Sequence, residues 1–157
     1  MKEDRANVTR ALLADLVRVV NRTLPRVGAR FESELGASLV ELDLLAELGR
    51  APEHALRMSE ISQRLTISTT SVTRLVDGLE KRGYTRRVLS AGDRRVVYAV
   101  LTDKGAELLT QAHPVAGPAL EESFGRYFTT DEMQELRTLL RRVVNNTCDT
   151  SVRRRMT

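Results

Sequence analysis

Ser68, Thr69, Thr70, Ser71, Thr73 and Arg74 place five short hydroxyl side chains and one guanidinium within seven residues. Hydroxyls donate and accept at short reach, and a guanidinium presents a rigid fork of donors. Such a group suits hydrogen bonding to phosphate oxygens and base edges rather than bond-making. Asp93, Arg94 and Arg95 form a second group beside Gly92, and Arg82, Arg86 and Arg87 between the two are candidate phosphate contacts. Catalytic chemistry finds no comparable set. His54 and His113 are the only histidines, and neither has a neighbouring cysteine or a carboxylate at helical ligand spacing. The single cysteine, Cys148, excludes an intramolecular disulfide and a cysteine-rich metal centre. With no phosphate-cradling glycine loop and no nucleophile motif, no catalytic residue, metal or cofactor is expected.

The hydroxyl group needs an element to hold it. Val72, Leu75, Val76 and Leu79 fall at i, i+3, i+4 and i+7, which gathers them on one buried face of a helix. Ser68 is suited to its N-cap and Gly83 to a left-handed C-cap. Thr70, Arg74, Asp77 and Lys81 then point away from the core, with Thr73 on the flank. Before it, Ser59 to Leu65 reads as a short helix capped by Ser59 and anchored by Ile61 and Leu65, with only Thr66 and Ile67 intervening. Two short helices joined so tightly predict a helix-turn-helix. After Gly83 the period changes: Tyr84–Leu89 and Val96–Leu101 are strand-like around a turn at Ser90–Asp93, giving a hairpin with a basic tip. The predicted fold is mainly α with a small β-hairpin wing. Its second helix is shaped to read a major groove, and its hairpin to reach the adjoining backbone or minor groove.

Met58–Ser62, Val72–Tyr84, Asp93-Arg94-Arg95 and then Leu101-Thr102 with Gly105 resemble the MarR family of bacterial transcriptional regulators. The resemblance covers about residues 39 to 110 and rests on the wing pattern of Asp-any-Arg, followed closely by Leu-Thr and Gly. It implies a homodimer on a pseudo-palindromic double-stranded operator, commonly as a repressor, with N- and C-terminal helices interleaved between subunits. By position in that pattern Arg95 is expected to enter a minor groove, Asp93 to orient it or the wing through a salt bridge, and Arg94 to meet phosphate. Alternatively Asp93 and Arg95 only pin the hairpin to its own domain. The resemblance further implies a small effector, often an anionic aromatic, lodged between dimer helices and winged domain; its binding residues are unknown from sequence. Some members sense oxidants through a cysteine near the N-terminus, where this chain has none.

The flanks supply the remaining architecture: an N-terminal dimerisation helix in 1–37, a winged helix-turn-helix domain in 38–103, and C-terminal dimerisation helices in 104–157. An apolar stripe from Val8 through Leu12, Leu13, Leu16, Val17, Val20, Leu24, Val27 and Phe31 to Leu35 exceeds what one small domain can cover, which favours packing on a second subunit. Pro25 is expected to kink or restart that helix. Ser38 to Glu41 reads as a capping box opening the next helix, and residues 50–57 as a connecting loop with His54 exposed. Thr102 starts another helix, which His113–Pro118 should break or bend. Thr129 to Glu132 forms a second capping box ahead of a stripe from Met133 to Val144.

Across 157 residues the formal charge is +4 and the pI near 9.7, a surplus that permits nucleic-acid binding without demanding it. Arg153, Arg154 and Arg155 add a basic cluster at the tail. Neither a signal peptide nor a long uncharged apolar run is present, so a cytoplasmic protein is expected. Two alternatives share the fold: a nucleoid-type protein binding DNA without sequence preference, and a winged helix used for protein contacts. The outward helix face argues against the second, because it carries none of the large apolar or aromatic anchors such contacts use.

Overall fold

The computed structural model describes residues 4–153 apart from Ala91 and Arg94, with the backbone alone over 146–153. Arg94, the Cys148 thiol and the Arg153–Arg155 side chains therefore lie outside the described residues. The chain is mainly helical: α1 (Arg5–Leu35), α2 (Leu39–Arg50), β1 (Ala55–Arg57), α3 (Met58–Arg64), α4 (Thr69–Lys81), β2 (Thr85–Leu89), β3 (Val97–Leu101), α5 (Asp103–Ser123) and α6 (Thr130–Arg153). It divides into two compact units, residues 1–119 and 120–157.

In the first unit α1 begins at Asp4, whose carboxylate accepts from the Ala6 N–H, and stops at Gly36, where φ is 62°. It neither breaks nor restarts at Pro25, contrary to the sequence expectation. Pro25 is exposed, so the backbone acceptor it strands one turn back stands on a side open to water. Only Val27 and Phe31 of the stripe are buried, and they meet the core centred on α2, where Leu44, Leu45 and Leu48 are fully enclosed. The start of α2 is set by Glu41, whose carboxylate takes the Ser38 N–H at 2.8 Å and the Ser38 hydroxyl at 3.0 Å.

Helix α3 begins one residue earlier than expected and Ser59 is not its cap. Glu60 reaches back to the Arg57 N–H at 2.8 Å, so the start is fixed by a first-turn carboxylate bonded to the residue before the helix and not by a serine hydroxyl. The turn to α4 uses Thr66 at φ 55° and is tied by the Ser62 hydroxyl donating to the Ile67 carbonyl at 2.7 Å. Helix α4 matches its sequence pattern: Ser68 accepts from the Ser71 N–H at 3.1 Å, Val72, Val76 and Leu79 are buried, and Gly83 has φ 78°.

The predicted hairpin is the larger part of a three-stranded antiparallel sheet of order β1-β3-β2, with Leu56 opposite Ala99 and Val88 opposite Tyr98. Strand β1 corrects the reading of residues 50–57 as wholly loop. Three residues are too few for a period of two to register in sequence. What turns the chain into it is a short 3-10 turn at Pro52–His54, with Glu53 and His54 at φ 55° and 53°.

The Leu-Thr-any-any-Gly stretch is a joint. Thr102 accepts from the Gly105 N–H at 3.1 Å and donates to the Gly83 carbonyl at 2.7 Å, and a Cβ on Gly105 would stand 2.3 Å from the Tyr84 carbonyl oxygen. Glycine is therefore required there for α5 to approach the base of the wing. Helix α5 runs unbroken through Pro114 and Pro118, which corrects the expected interruption; both prolines are exposed. In the second unit Thr129 and Glu132 cap α6 reciprocally, at 2.7 and 3.3 Å, and the Thr129 N–H and hydroxyl, donating to the Glu132 carboxylate at 2.7 and 2.9 Å, lower that carboxyl below its usual value. Leu139, Leu140, Val143 and Val144 of α6 are exposed.

Candidate nucleic-acid interface

Helix α4 owes its position to a core face that is buried at Val72, Val76 and Leu79 and half-buried at Leu75, so its opposite face is fixed outward. Ser68, Thr69, Thr70, Ser71, Thr73 and Arg74 are all exposed. Local bonds occupy part of the row. Ser68 and Ser71 hydroxyls lie 2.8 Å apart, and the Thr73 hydroxyl donates to the Thr69 carbonyl at 3.0 Å. Thr69, Thr70 and Arg74 keep side chains free of any intramolecular hydrogen bond or ion pair among the described residues. The first turn contains no acidic residue, so the positive end of the helix dipole is not cancelled locally.

The three arginines read as candidate phosphate contacts separate by geometry. Arg82 donates to the Gly36 carbonyl at 2.8 Å, pairs with Glu41 and lies over the Tyr84 ring at 5.2 Å. Arg87 pairs with Asp77 and, at 2.9 Å, with Glu80, both on α4, while its own N–H donates to Glu80 at 2.8 Å. These two guanidiniums tie α4 to α2 and to β2. Arg86 is exposed, carries no such pair, and sits on the other face of β2.

At the wing, Asp93 and Arg95 are exposed. The Asp93 carboxylate accepts from the Arg95 backbone N–H at 2.9 Å, and the Asp93 carbonyl from the Val96 N–H at 2.9 Å. Asp93 thus shapes the tip by a local turn, and among the described residues no ion pair joins its carboxylate to the Arg95 guanidinium. Sequence reasoning missed Arg57 and Tyr98. The Arg57 guanidinium donates to the Tyr98 hydroxyl at 3.0 Å and lies 5.6 Å from its ring centre, on the sheet face that also carries Arg86. The only sequence signal was an aromatic in a β-branched strand, which core packing explains equally well. Among the described residues no three His, Cys, Asp or Glu side chains cluster to hold a metal, and no helix is long and apolar enough to cross a membrane.

A profile of the MarR family matches residues 35–96, the stretch that carries α2, the helix-turn-helix, β2 and the tip of the wing. PrsX of Escherichia coli, an HTH-type transcriptional regulator, is 34% identical over 69% of this chain; the match spans 64% of PrsX's own length. PapX of Escherichia coli, also an HTH-type transcriptional regulator, is 30% identical over 88% of this chain and 84% of its own. The crystal structure of Sco3205, a MarR family transcriptional regulator from Streptomyces coelicolor in complex with DNA, superposes with a TM-score of 0.79. That likeness, over 88% of this chain and 90% of the other at 24% identity, is one of fold. Helix-turn-helix, wing pattern, profile and a relative matched over 84% of its length agree, and the chain belongs to the MarR family of winged helix-turn-helix transcriptional regulators, a class of regulators rather than enzymes.

Proposed function

We propose that the protein is a homodimeric, sequence-specific regulator of transcription in the cytoplasm that represses by occupying a double-stranded operator and is released by a small ligand. The observation that carries this reading is the outward face of α4, where Thr69, Thr70 and Arg74 stand exposed and unpaired on a helix whose other face is locked in the core. Residues 38–103 would meet DNA, with Arg95 directed to a minor groove, Arg86 to phosphate, and Asp93 shaping the wing. Residues 1–37 and 104–157 would join two subunits, so that two recognition helices face half-sites about 10 base pairs apart. Exposed Leu12, Leu13 and Val17 on α1 support that reading, because apolar surface of this extent is rarely left to water. The ligand site would be the cavity of ≈ 660 Å³ between α1, α2 and α5, floored by Phe31, Leu42 and Leu109.

The test is to sequence the genomic fragments retained by the pure protein and to measure its variants on the motif they share. A pseudo-palindrome is expected, with Arg74→Ala costing about 1–3 kcal/mol and relaxing one position per half-site. Arg95→Ala should weaken binding and lower its salt slope by about 1 with the melting temperature unchanged. Fragments without a shared motif would leave a non-specific DNA binder. A several-degree loss of melting temperature in Arg95→Ala would make that residue a hairpin pin.

A further inference from the structure

We propose that the cavity between α1, α2 and α5 takes an amphipathic organic cation, an aromatic or aliphatic body bearing an ammonium group, with Asp43 as the residue that selects its charge. This rests on the reading of that cavity as the effector site, and it departs from the anionic aromatic that family resemblance suggests. The lining side chains of α1 are apolar, Leu24 and Phe31 among them, so that wall supplies no charge. The ionisable lining groups are Asp43 and Arg50 from α2 and His113 from α5. Arg50 is already answered: its guanidinium donates to Glu47 at 2.7 Å, and the other oxygen of Glu47 holds Arg64 at 3.0 Å. Asp43 is not. Its carboxylate forms no hydrogen bond or ion pair among the described residues.

The local field agrees with that difference. Although Asp43 is exposed at the rim, loss of solvation raises its carboxyl above the usual aspartate value. Glu47, one turn along the same helix, raises it further, by more than Arg50 lowers it. An aromatic acid entering here would bring a second negative charge to a carboxylate already short of compensation, with only the His113 imidazole and an Arg50 guanidinium whose charge is shared with Glu47 to answer it. An ammonium would supply the missing counter-charge while its apolar body covers Leu42, Leu109 and Ala112. The cavity volume of ≈ 660 Å³ accommodates a fused bicyclic ring with a short arm.

A matched set separates charge from shape: 1-naphthylmethylamine, 1-naphthalenemethanol and 1-naphthoate share a ring system and differ at one group. Isothermal titration of the full chain should give at least tenfold tighter binding of the amine than of the naphthoate. Asp43→Asn should erase that preference while changing affinity for the alcohol less than twofold, and Asp43→Glu should restore it; thermal unfolding of each variant verifies that it is folded. Naphthoate binding as tightly as the amine, or a preference that survives Asp43→Asn, overturns the charge assignment and leaves the effector cavity standing. If none of the three binds the wild-type protein, the effector reading falls and this proposal with it.

Discussion

Thr85 opens β2 and is 2% exposed, yet its hydroxyl has no hydrogen-bond partner among the described residues. A buried hydroxyl without a partner forfeits its bonds to water and gains nothing in exchange, at a cost of about 1–3 kcal/mol. Valine has nearly the same shape and removes the polar atom. Thr85→Val is therefore expected to stabilise the fold by about 1 kcal/mol, raising the melting temperature by about 2–4 °C in a protein of this size. Calorimetry checks this, and a lower melting temperature would mean that the hydroxyl is satisfied, for example by a trapped water. Gly105 is the opposite case, a residue whose missing side chain is what the structure uses, since any Cβ would collide with the Tyr84 carbonyl and the Leu101 side chain.

Strand β2 sends neighbouring arginines to opposite faces and so gives them opposite duties. Arg87 braces the strand against Asp77 and Glu80 of α4 with its own side chain only 27% exposed, whereas Arg86 faces solvent. Arg87→Met is expected to cost about 1–2 kcal/mol of stability, more than an exposed pair and less than a buried one, and to leave the salt slope of DNA binding unchanged. Arg86→Met should do the reverse, lowering the slope by about 1 at constant melting temperature. A salt titration of both variants beside thermal melts decides; exchanged behaviours would return Arg87 to the phosphates. The contrast also shows what was legible in the chain. Helix α4, its Ser68 cap and the wing strands were, because their cues are local periods and caps. The partners of Arg82 and Arg87 were not: Glu41 lies 41 residues from Arg82 and Asp77 lies 10 from Arg87, and no sequence pattern says which carboxylate an arginine will find. Strand β1 escaped for the same reason, since its only credential is its pairing with β3. The three prolines inside α1 and α5 misled because the usual rule prices a lost backbone bond without knowing that all three side chains face solvent.

At the scale of the whole molecule, the apolar sides of α1 and α6 ask for a partner. Leu13 and Val17 are each 58% exposed, one turn apart on α1. On the proposed dimer, placing charge there, as Leu13→Glu with Val17→Glu, is expected to leave monomer or aggregate and to abolish operator binding. Analytical ultracentrifugation gives the answer, and an unchanged sedimentation coefficient with full binding would remove α1 from the interface. Strand β1 has a further consequence for how the reading head comes apart. By pairing Leu56 with Ala99 it closes a loop of chain that contains α3, α4 and β2 entire. Releasing α4 from such a loop means giving up either its buried face or the strand pairs that close the ring, so partial fraying is suppressed. In hydrogen exchange the amides of α4 and of the central strand should therefore lose protection together, as one foldon, and three residues that were easily mistaken for a connector would set the rate at which α4 opens.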